Sequence, residues 1–179
     1  MIYIALLRGI NVGGKGIIKM STLKDCFEQA GMTNVATYIQ SGNVTFETGK
    51  RPVSSVTTRV ERAIAQAFGQ PLSVVVQSAA QFERVVADVP FSWPRDTHLR
   101  RYIAFLRAPV TAAKALKAVD ARESVDIVTP GRRVLYMSTR LDALAGSRLT
   151  KLVGTPIYQN MTIRNYSTCV KVLALIRQR

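Results

Sequence analysis

The sequence has few acidic residues, one histidine and two cysteines. Its 179 residues hold 11 Asp and Glu against 25 Lys and Arg. His98 is far from Cys26 and Cys169 in the sequence, so neither metal-ligand spacing nor a Cys/His catalytic pair is present. Both cysteines lie in apolar helical patterns, which predicts reduced core thiols rather than a disulfide framework. Paired carboxylates are scarce. No catalytic residue, metal or cofactor is therefore predicted.

Long apolar runs are also absent. No stretch approaches the roughly 18 residues that a membrane-spanning helix needs. The N-terminal MIYIALLRG has no basic leader and no small-residue cleavage site, so it is predicted to be a first strand rather than a signal peptide. Hydrophobic residues still make up 47% of the chain, enough for a globular core. These features predict a cytoplasmic protein that does not associate with membranes.

Positive charge is abundant and unevenly distributed. The formal net charge is +14, with 9 basic and 6 acidic residues in positions 1–90 against 16 and 5 in positions 91–179. Such a field favours anionic partners: nucleic acid, phosphorylated metabolites or acidic protein surfaces. The alternative is that the charge only keeps the protein in solution.

The chain contains an internal repeat. Tyr3–Arg8 recurs as Tyr102–Arg107 with five identities in six positions. In both halves a helix, a hairpin, a second helix, a Gly-x-Pro step, a final strand and a closing helix are predicted to follow in that order, and Ser147 is expected to cap the second helix of the second half. This order predicts an α+β fold that is a tandem duplication of a β-α-β-β-α-β, ferredoxin-like unit, each followed by an extra helix. The predicted parts are a first half at 1–88, a linker at 89–99 and a strongly basic second half at 100–179.

One loop of the first half has no counterpart in the second. Tyr3 to the hairpin glycine Gly42 spans 39 residues, but Tyr102 to Gly131 spans 29. Most of the excess lies in residues 9–19, GINVGGKGIIK. Strand-to-helix loops usually have about 2–6 residues, and longer ones are often functional. We interpret this loop as an addition to the repeated unit.

The loop has the composition of an anion-binding loop. Its glycines let backbone N–H groups converge on a ligand, and its lysines add positive charge. From Gly9 it matches G-x-x-x-x-G-K, the start of a nucleotide-binding P-loop. However, Gly16 replaces the Ser or Thr that holds magnesium, and five residues separate Lys15 from Ser21 at the expected helix start. Nucleoside triphosphate hydrolysis is therefore disfavoured.

Four motifs, ALLRGINVGGKGIIKM, TYIQSGNVTFE, SRLTKL and RNYSTCVKVLAL, resemble the bacterial family known as domain of unknown function 1697. The resemblance spans the chain. It departs from the family pattern at Gly16, where a polar residue is common, at Arg148, where Lys is usual, and at Tyr166, where Trp is usual. The resemblance implies a two-part α+β fold built from ferredoxin-like halves, and it implies no activity.

The main functional hypothesis is that one cleft binds a phosphorylated metabolite or nucleic acid. The candidate ligand-binding residues are Arg8, Asn11, Gly13, Gly14, Lys15, Lys19, Gln40, Ser41, Asn43, Arg164 and Asn165. Two alternatives are an enzyme of unknown reaction that uses the loop to hold a phosphate or oxyanion, and a module that self-associates through the loop. RNA-recognition domains share the β-α-β-β-α-β plan and stack bases on strand aromatics, for which this chain offers Tyr3, Phe46, Tyr102 and Tyr136. Their Lys/Arg-Gly-Phe-x-Phe signature is missing.

Overall fold

The chain folds into two compact units, each with its own sheet. The computed structural model describes residues 1–11, 17–93 and 96–179. The first unit comprises residues 1–83 and 172–179, and the second comprises residues 84–171. In the described part of the chain there are two four-stranded antiparallel sheets with accompanying helices. The predicted α+β class is confirmed.

The first unit has a sheet with the spatial order β2-β3-β1-β4. All three pairings are antiparallel, and Tyr3 of the central strand lies between Phe46 and Ser78 of its neighbours. The elements are β1 (Ile2–Leu7), α1 (Met20–Gln29), β2 (Thr33–Tyr38), β3 (Asn43–Glu47), α2 (Val53–Phe68) and β4 (Val74–Ser78), followed by α3 (Ala79–Ala87).

Apolar residues spaced at helical and strand periods form the core of the first unit. The buried residues of α1 are Leu23, Cys26 and Phe27, at spacings of three and four that put them on one face. The residues Tyr3, Ala5 and Leu7 alternate along β1 and join the same core. The ring of Tyr3 stacks on that of Phe46 at a centroid distance of 5.9 Å. The predicted apolar face of α1 therefore covers one face of the sheet.

The second unit has the corresponding order β6-β7-β5-β8. Its core contains Ala104, Leu106, Leu135, Met137 and Met161, contributed by three of these strands. The elements are β5 (Leu99–Leu106), α4 (Ala112–Ala118), β6 (Asp126–Gly131), β7 (Val134–Arg140) and β8 (Met161–Asn165), followed by α5 (Tyr166–Arg177), which runs from the second unit into the first.

The second helix predicted after the β6–β7 hairpin is not an α-helix. The described chain forms three short 3-10 helices there, at Leu141–Gly146, Leu149–Leu152 and Tyr158–Asn160. Within the first of them, Ala143 has non-helical dihedral angles. Ser147 does not cap an α-helix, because its hydroxyl donates to the Asp126 carboxylate at 2.7 Å and accepts from the Leu149 N–H. This side-chain contact competes with a continuous helix.

The segment predicted to be a linker contains a buried tryptophan. Trp93 is 2% exposed, and its ring meets those of Tyr136 and Tyr166 edge-on at centroid distances of 5.9 and 5.5 Å. The guanidinium of Arg101 donates to the Trp93 carbonyl and lies over the Tyr166 ring. Side chains near this segment thus add aromatic packing to the second unit.

None of the helices in the described residues has the length and apolar character needed to cross a bilayer.

Candidate functional site

Asn11 closes the base of the Gly/Lys-rich loop. Its Oδ1 accepts from the Ile18 N–H at 2.8 Å, and its Nδ2 donates to the Ile18 carbonyl at 3.0 Å. The same Nδ2 donates to the Gln40 carbonyl of the β2–β3 hairpin at 2.9 Å. Ile10 and Ile18, on either side, are buried in the core of the first unit. The two ends of the loop and the hairpin are therefore held together by one side chain and two apolar anchors.

Backbone hydrogen bonds join the same region to the sheet. The Leu7 N–H donates to the Gly42 carbonyl at 2.9 Å, and the Arg8 N–H donates to the Ser73 carbonyl at 2.9 Å. Gly42 has a φ of 72°, and a Cβ there would lie 2.6 Å from Ile10 Cδ1 and 2.8 Å from Leu7 Cβ. Only glycine allows the hairpin to approach the end of β1 so closely.

The charges around the loop base are positive. Arg8 is half-buried directly after β1, and Lys19 is exposed immediately before α1. The first acidic residue in the sequence is Asp25, one turn inside α1. The candidate residues Gly13, Gly14 and Lys15 lie outside the described residues.

The polar hairpin residues differ in how accessible they are. Gln40 is exposed, and Ser41 is half-buried. Asn43 is only 1% exposed, and its Nδ2 donates to the Tyr38 carbonyl and to Ser41 Oγ, both at 3.0 Å. The amide of Asn43 thus stabilises the hairpin from within.

The remaining candidates, Arg164 and Asn165, end β8 in the second unit. Asn165 is exposed, whereas Arg164 is 8% exposed and donates to the Ile163 carbonyl at 2.9 Å. Burial lowers the pKa of Arg164 to about 10, although nearby Cys169 and Tyr158 act in the opposite direction. The inclusion of these two residues in one cleft with the loop stays a prediction.

Asp126 is a buried carboxylate with many hydrogen bonds, and the sequence patterns did not indicate it. Its carboxylate is 4% exposed and accepts from the hydroxyls of Ser147 and Thr139 at 2.7 and 2.8 Å. It also accepts from the backbone N–H groups of Arg148 at 2.9 Å and Arg122 at 3.1 Å. Burial alone would raise the pKa of Asp126, but these hydrogen bonds together hold it below its ordinary value. The SRLTKL motif is thereby attached to the start of β6.

The two cysteines are buried, and the metal-ligating side chains of the described chain do not cluster. Cys26 and Cys169 are buried, free thiols, as predicted. Burial raises the pKa of Cys26, and it raises that of Cys169 to about 12, so neither thiol ionises readily. No group of three or more His, Cys, Asp or Glu side chains in the described chain could hold a metal ion.

The four strand aromatics do not form a base-stacking platform. Tyr3 and Phe46 are fully buried in the first core, and Tyr136 is 4% exposed. The hydroxyl of Tyr136 donates to the Val85 carbonyl at 2.9 Å, and burial, with the charge of Asp88, raises its pKa to about 12. Tyr102 packs against the second core. Burial keeps Tyr3, Phe46 and Tyr136 from stacking on bases as in RNA-recognition domains, whereas Tyr102 is half-buried.

We expect Asn11→Ala to lower the free energy of unfolding by about 2 kcal/mol, because three side-chain hydrogen bonds are lost. Part of the loss would come from the backbone, since Asn11 has a φ of 57°, which alanine tolerates poorly. Asn11→Gly is the matched control, because it removes the side chain but accepts this φ. Urea unfolding of both variants separates the contribution of the side-chain hydrogen bonds from that of the backbone conformation. An Asn11→Gly variant as stable as the wild type would show that the Asn11 side chain does not hold the loop ends and the hairpin together.

Comparison with known proteins identifies the family. The family model described as protein of unknown function (DUF1697) matches residues 1–136. The structure is similar to that of the conserved bacterial protein SP0830 from Streptococcus pneumoniae, with a TM-score of 0.85, 26% sequence identity and coverage of 97% of each chain. No curated protein matches the chain. The resemblance is thus confirmed over residues 1–136, which contain the first two of the four motifs, and the chain belongs to the DUF1697 family.

Proposed function

We propose that the loop between Asn11 and Ile18 binds an anionic ligand that carries phosphate, either a phosphorylated metabolite or nucleic acid. The observation that carries this proposal is the Asn11 clamp, which holds both loop ends and the hairpin through hydrogen bonds of 2.8 to 3.0 Å. A loop whose ends are held in place loses less conformational entropy on binding a ligand. The clamp therefore favours binding by the glycine-rich segment that it encloses.

Charge supports an anion as the ligand. Residues 1–24 contain four basic residues and no acidic one, and three of the four, Arg8, Lys15 and Lys19, lie in or beside the loop. The N-cap residue of α1, Lys19, forms no side-chain capping hydrogen bond. The N–H groups of a helix N-terminus and nearby cations both stabilise a phosphate.

Two exposed isoleucines support a ligand that also has an apolar part. Ile17 is 70% exposed and Ile39 is 49% exposed, and each directly precedes a residue bonded to Asn11. Ile39 has a φ of 50°, an unfavourable backbone conformation for a β-branched residue. Strain of this kind is concentrated at functional sites. A phosphate attached to a sugar or a ring would match both the charged and the apolar groups.

The test is binding of phosphorylated probes to the full chain. Inorganic phosphate, nucleoside monophosphates, sugar phosphates and a short RNA oligonucleotide would each be titrated by calorimetry and by thermal shift. We expect at least one probe to stabilise the protein, by about 2.7 kcal/mol at a hundredfold excess over its Kd. Lys15→Ala/Lys19→Ala should weaken that binding by at least about tenfold, since it removes two charge-assisted contacts.

Lys50→Ala/Arg62→Ala is the matched control. Both of its residues are exposed cations in the first unit, and Lys50 follows β3 at the end of the sheet opposite to the loop. Equal weakening by the two double variants would mean that only net charge matters. The absence of binding by every probe at low salt would refute the proposal. Nothing in the described residues favours the enzyme alternative or the self-association alternative over binding.

We also propose that the fold is a duplication of a ferredoxin-like unit. The two sheets have equivalent strand orders, β2-β3-β1-β4 and β6-β7-β5-β8. Backbone hydrogen bonds also recur: Leu106 N–H to the Arg133 carbonyl and Arg107 N–H to the Asn160 carbonyl correspond to those of Leu7 and Arg8. These correspondences support a common repeat in which only the first copy acquired the long loop.

A further inference from the structure

The second unit has arginines where the first unit has its candidate site. Arg107 directly follows β5, as Arg8 follows β1, and Arg132 and Arg133 form the two-residue turn between β6 and β7. The Leu106 N–H donates to the Arg133 carbonyl at 3.0 Å, which holds this turn against the end of β5. We call these three residues the arginine end of the second unit. Arg132 and Arg133 are exposed, and neither forms an ion pair within the described residues.

Acidic residues lie at the opposite end of the same sheet. The register pairs Asp126 with Thr139 and Leu99 with Arg140, whereas the arginine end begins at the Phe105–Val134 pair. Asp142 pairs with Arg140, and Asp120 pairs with Arg148, whose N–H is bonded to Asp126. The segments that meet at the arginine end, 103–112, 128–136 and 155–163, contain no acidic residue. The sheet of the second unit is therefore polarised along its strands.

The backbone of Arg133 is a second, independent observation. Its φ is 61°, in the left-handed region, while that of Arg132 is not. A two-residue turn of this shape favours Gly or Asn at its second position, and another residue there costs about 1 kcal/mol. An arginine at this position therefore lowers the stability of the fold. A functional role for the exposed guanidinium of Arg133 would explain why arginine occupies this position in the turn.

We propose that the arginine end contacts the phosphodiester backbone of nucleic acid. Exposed arginines on a hairpin tip form a projecting surface, unlike the concave sites that enclose small ligands. Guanidinium groups bind phosphate oxygens in a bidentate manner, and a run of phosphates engages several of them at once. This surface is formed by residues of the second unit, whereas the loop site is formed by residues of the first, and its contacts read charge rather than base sequence.

The test is fluorescence anisotropy of the full chain with a labelled single-stranded RNA of about 20 nucleotides and a DNA duplex of similar length. The informative variant is Arg132→Gln/Arg133→Asn, because asparagine tolerates the left-handed backbone and the hairpin should keep its fold. We expect at least about tenfold weaker binding at about 50 mM salt. The slope of log K against log salt should fall in magnitude by about 2, one for each lost phosphate contact.

Arg100→Gln/Arg122→Gln is the matched control, since it removes two exposed arginines from the opposite end of the sheet. We expect this control to keep nearly wild-type affinity and salt slope. Equal losses in both double variants, or binding to vesicles of anionic lipid but to neither nucleic acid, would overturn the proposal. Loss of nucleic-acid binding in Lys15→Ala/Lys19→Ala, with Arg132→Gln/Arg133→Asn unaffected, would also overturn it while leaving the loop proposal intact.

Discussion

Replacing Asp126 with alanine is expected to lower the free energy of unfolding by about 3–5 kcal/mol. The carboxylate accepts four hydrogen bonds, two from hydroxyls and two from backbone N–H groups. Alanine offers no acceptor, and the N–H groups of Arg122 and Arg148 would lose their partner. The 3-10 segment that begins at Leu149 would also lose its attachment to β6. Urea unfolding at neutral pH, followed by circular dichroism, measures the change.

Asp126→Asn separates hydrogen bonding from charge. The amide oxygen can still accept from the two N–H groups, while the amide nitrogen faces the hydroxyls of Ser147 and Thr139, which can reverse and accept. We therefore expect a loss of only about 1 kcal/mol, the typical value for weakened rather than missing hydrogen bonds. If Asp126→Asn were as unstable as Asp126→Ala, the negative charge would be the stabilising feature. Asp142→Ala, which removes an exposed ion pair, should change stability little.

Part of the stabilisation by Asp126 should be lost in acid. The pKa of Asp126 is lowered by folding, so its carboxylate stabilises the folded state above the unfolded pKa, and this contribution is lost as the pH falls through the folded pKa. The unfolded pKa of Asp is about 3.9. The difference in unfolding free energy between the wild type and Asp126→Ala should be constant from about pH 5 to 7 and should shrink below about pH 4. A difference that did not change with pH would contradict the role of the ionised carboxylate.

Local periodicity explains why much of the fold could be predicted. The α+β class, the first strand in MIYIALLRG and the apolar helical pattern around Cys26 all follow from residues that are neighbours in sequence. Period-2 and period-3.6 patterns report burial within a single element, so they need no knowledge of distant contacts. These local patterns did not predict the 3-10 helices after β7. The geometry there depends on the hydrogen bond from Ser147 to Asp126, which lies 21 residues earlier in the chain.

The same physical limit applies to the site. Asn11 was chosen as a ligand-binding residue because it lies in a glycine-rich loop, but its amide holds Ile18 and Gln40, 7 and 29 residues away. Arg164 was chosen for its place before a helix, and its burial arises only when the second unit folds. Arg132 and Arg133 directly follow the hairpin glycine Gly131 in the sequence. That these two arginines lie at the end of the sheet away from its acidic residues follows only from the strand register.

Gly42→Ala is expected to destabilise the protein by about 3 kcal/mol, through two separate effects. Alanine in the left-handed region costs about 1–2 kcal/mol, and the φ of Gly42 is 72°. The new Cβ would also lie 2.8 Å from Leu7 Cβ, an atom next to the backbone of a central strand, and relieving such overpacking costs about 1–3 kcal/mol. Thermal or urea unfolding measures the total.

Gly69→Ala measures the first of these effects, the backbone cost, by itself. Gly69 ends α2 with a φ of 66°, nearly that of Gly42, yet no described atom lies within 4 Å of a Cβ placed there. It should therefore cost only the backbone term, about 1 kcal/mol. The excess destabilisation of Gly42→Ala then measures how tightly the hairpin is held against β1. If the two variants lost equal stability, the hairpin could move away from Leu7 and Ile10 at no cost. The proposed loop site would then have no rigid wall beside it.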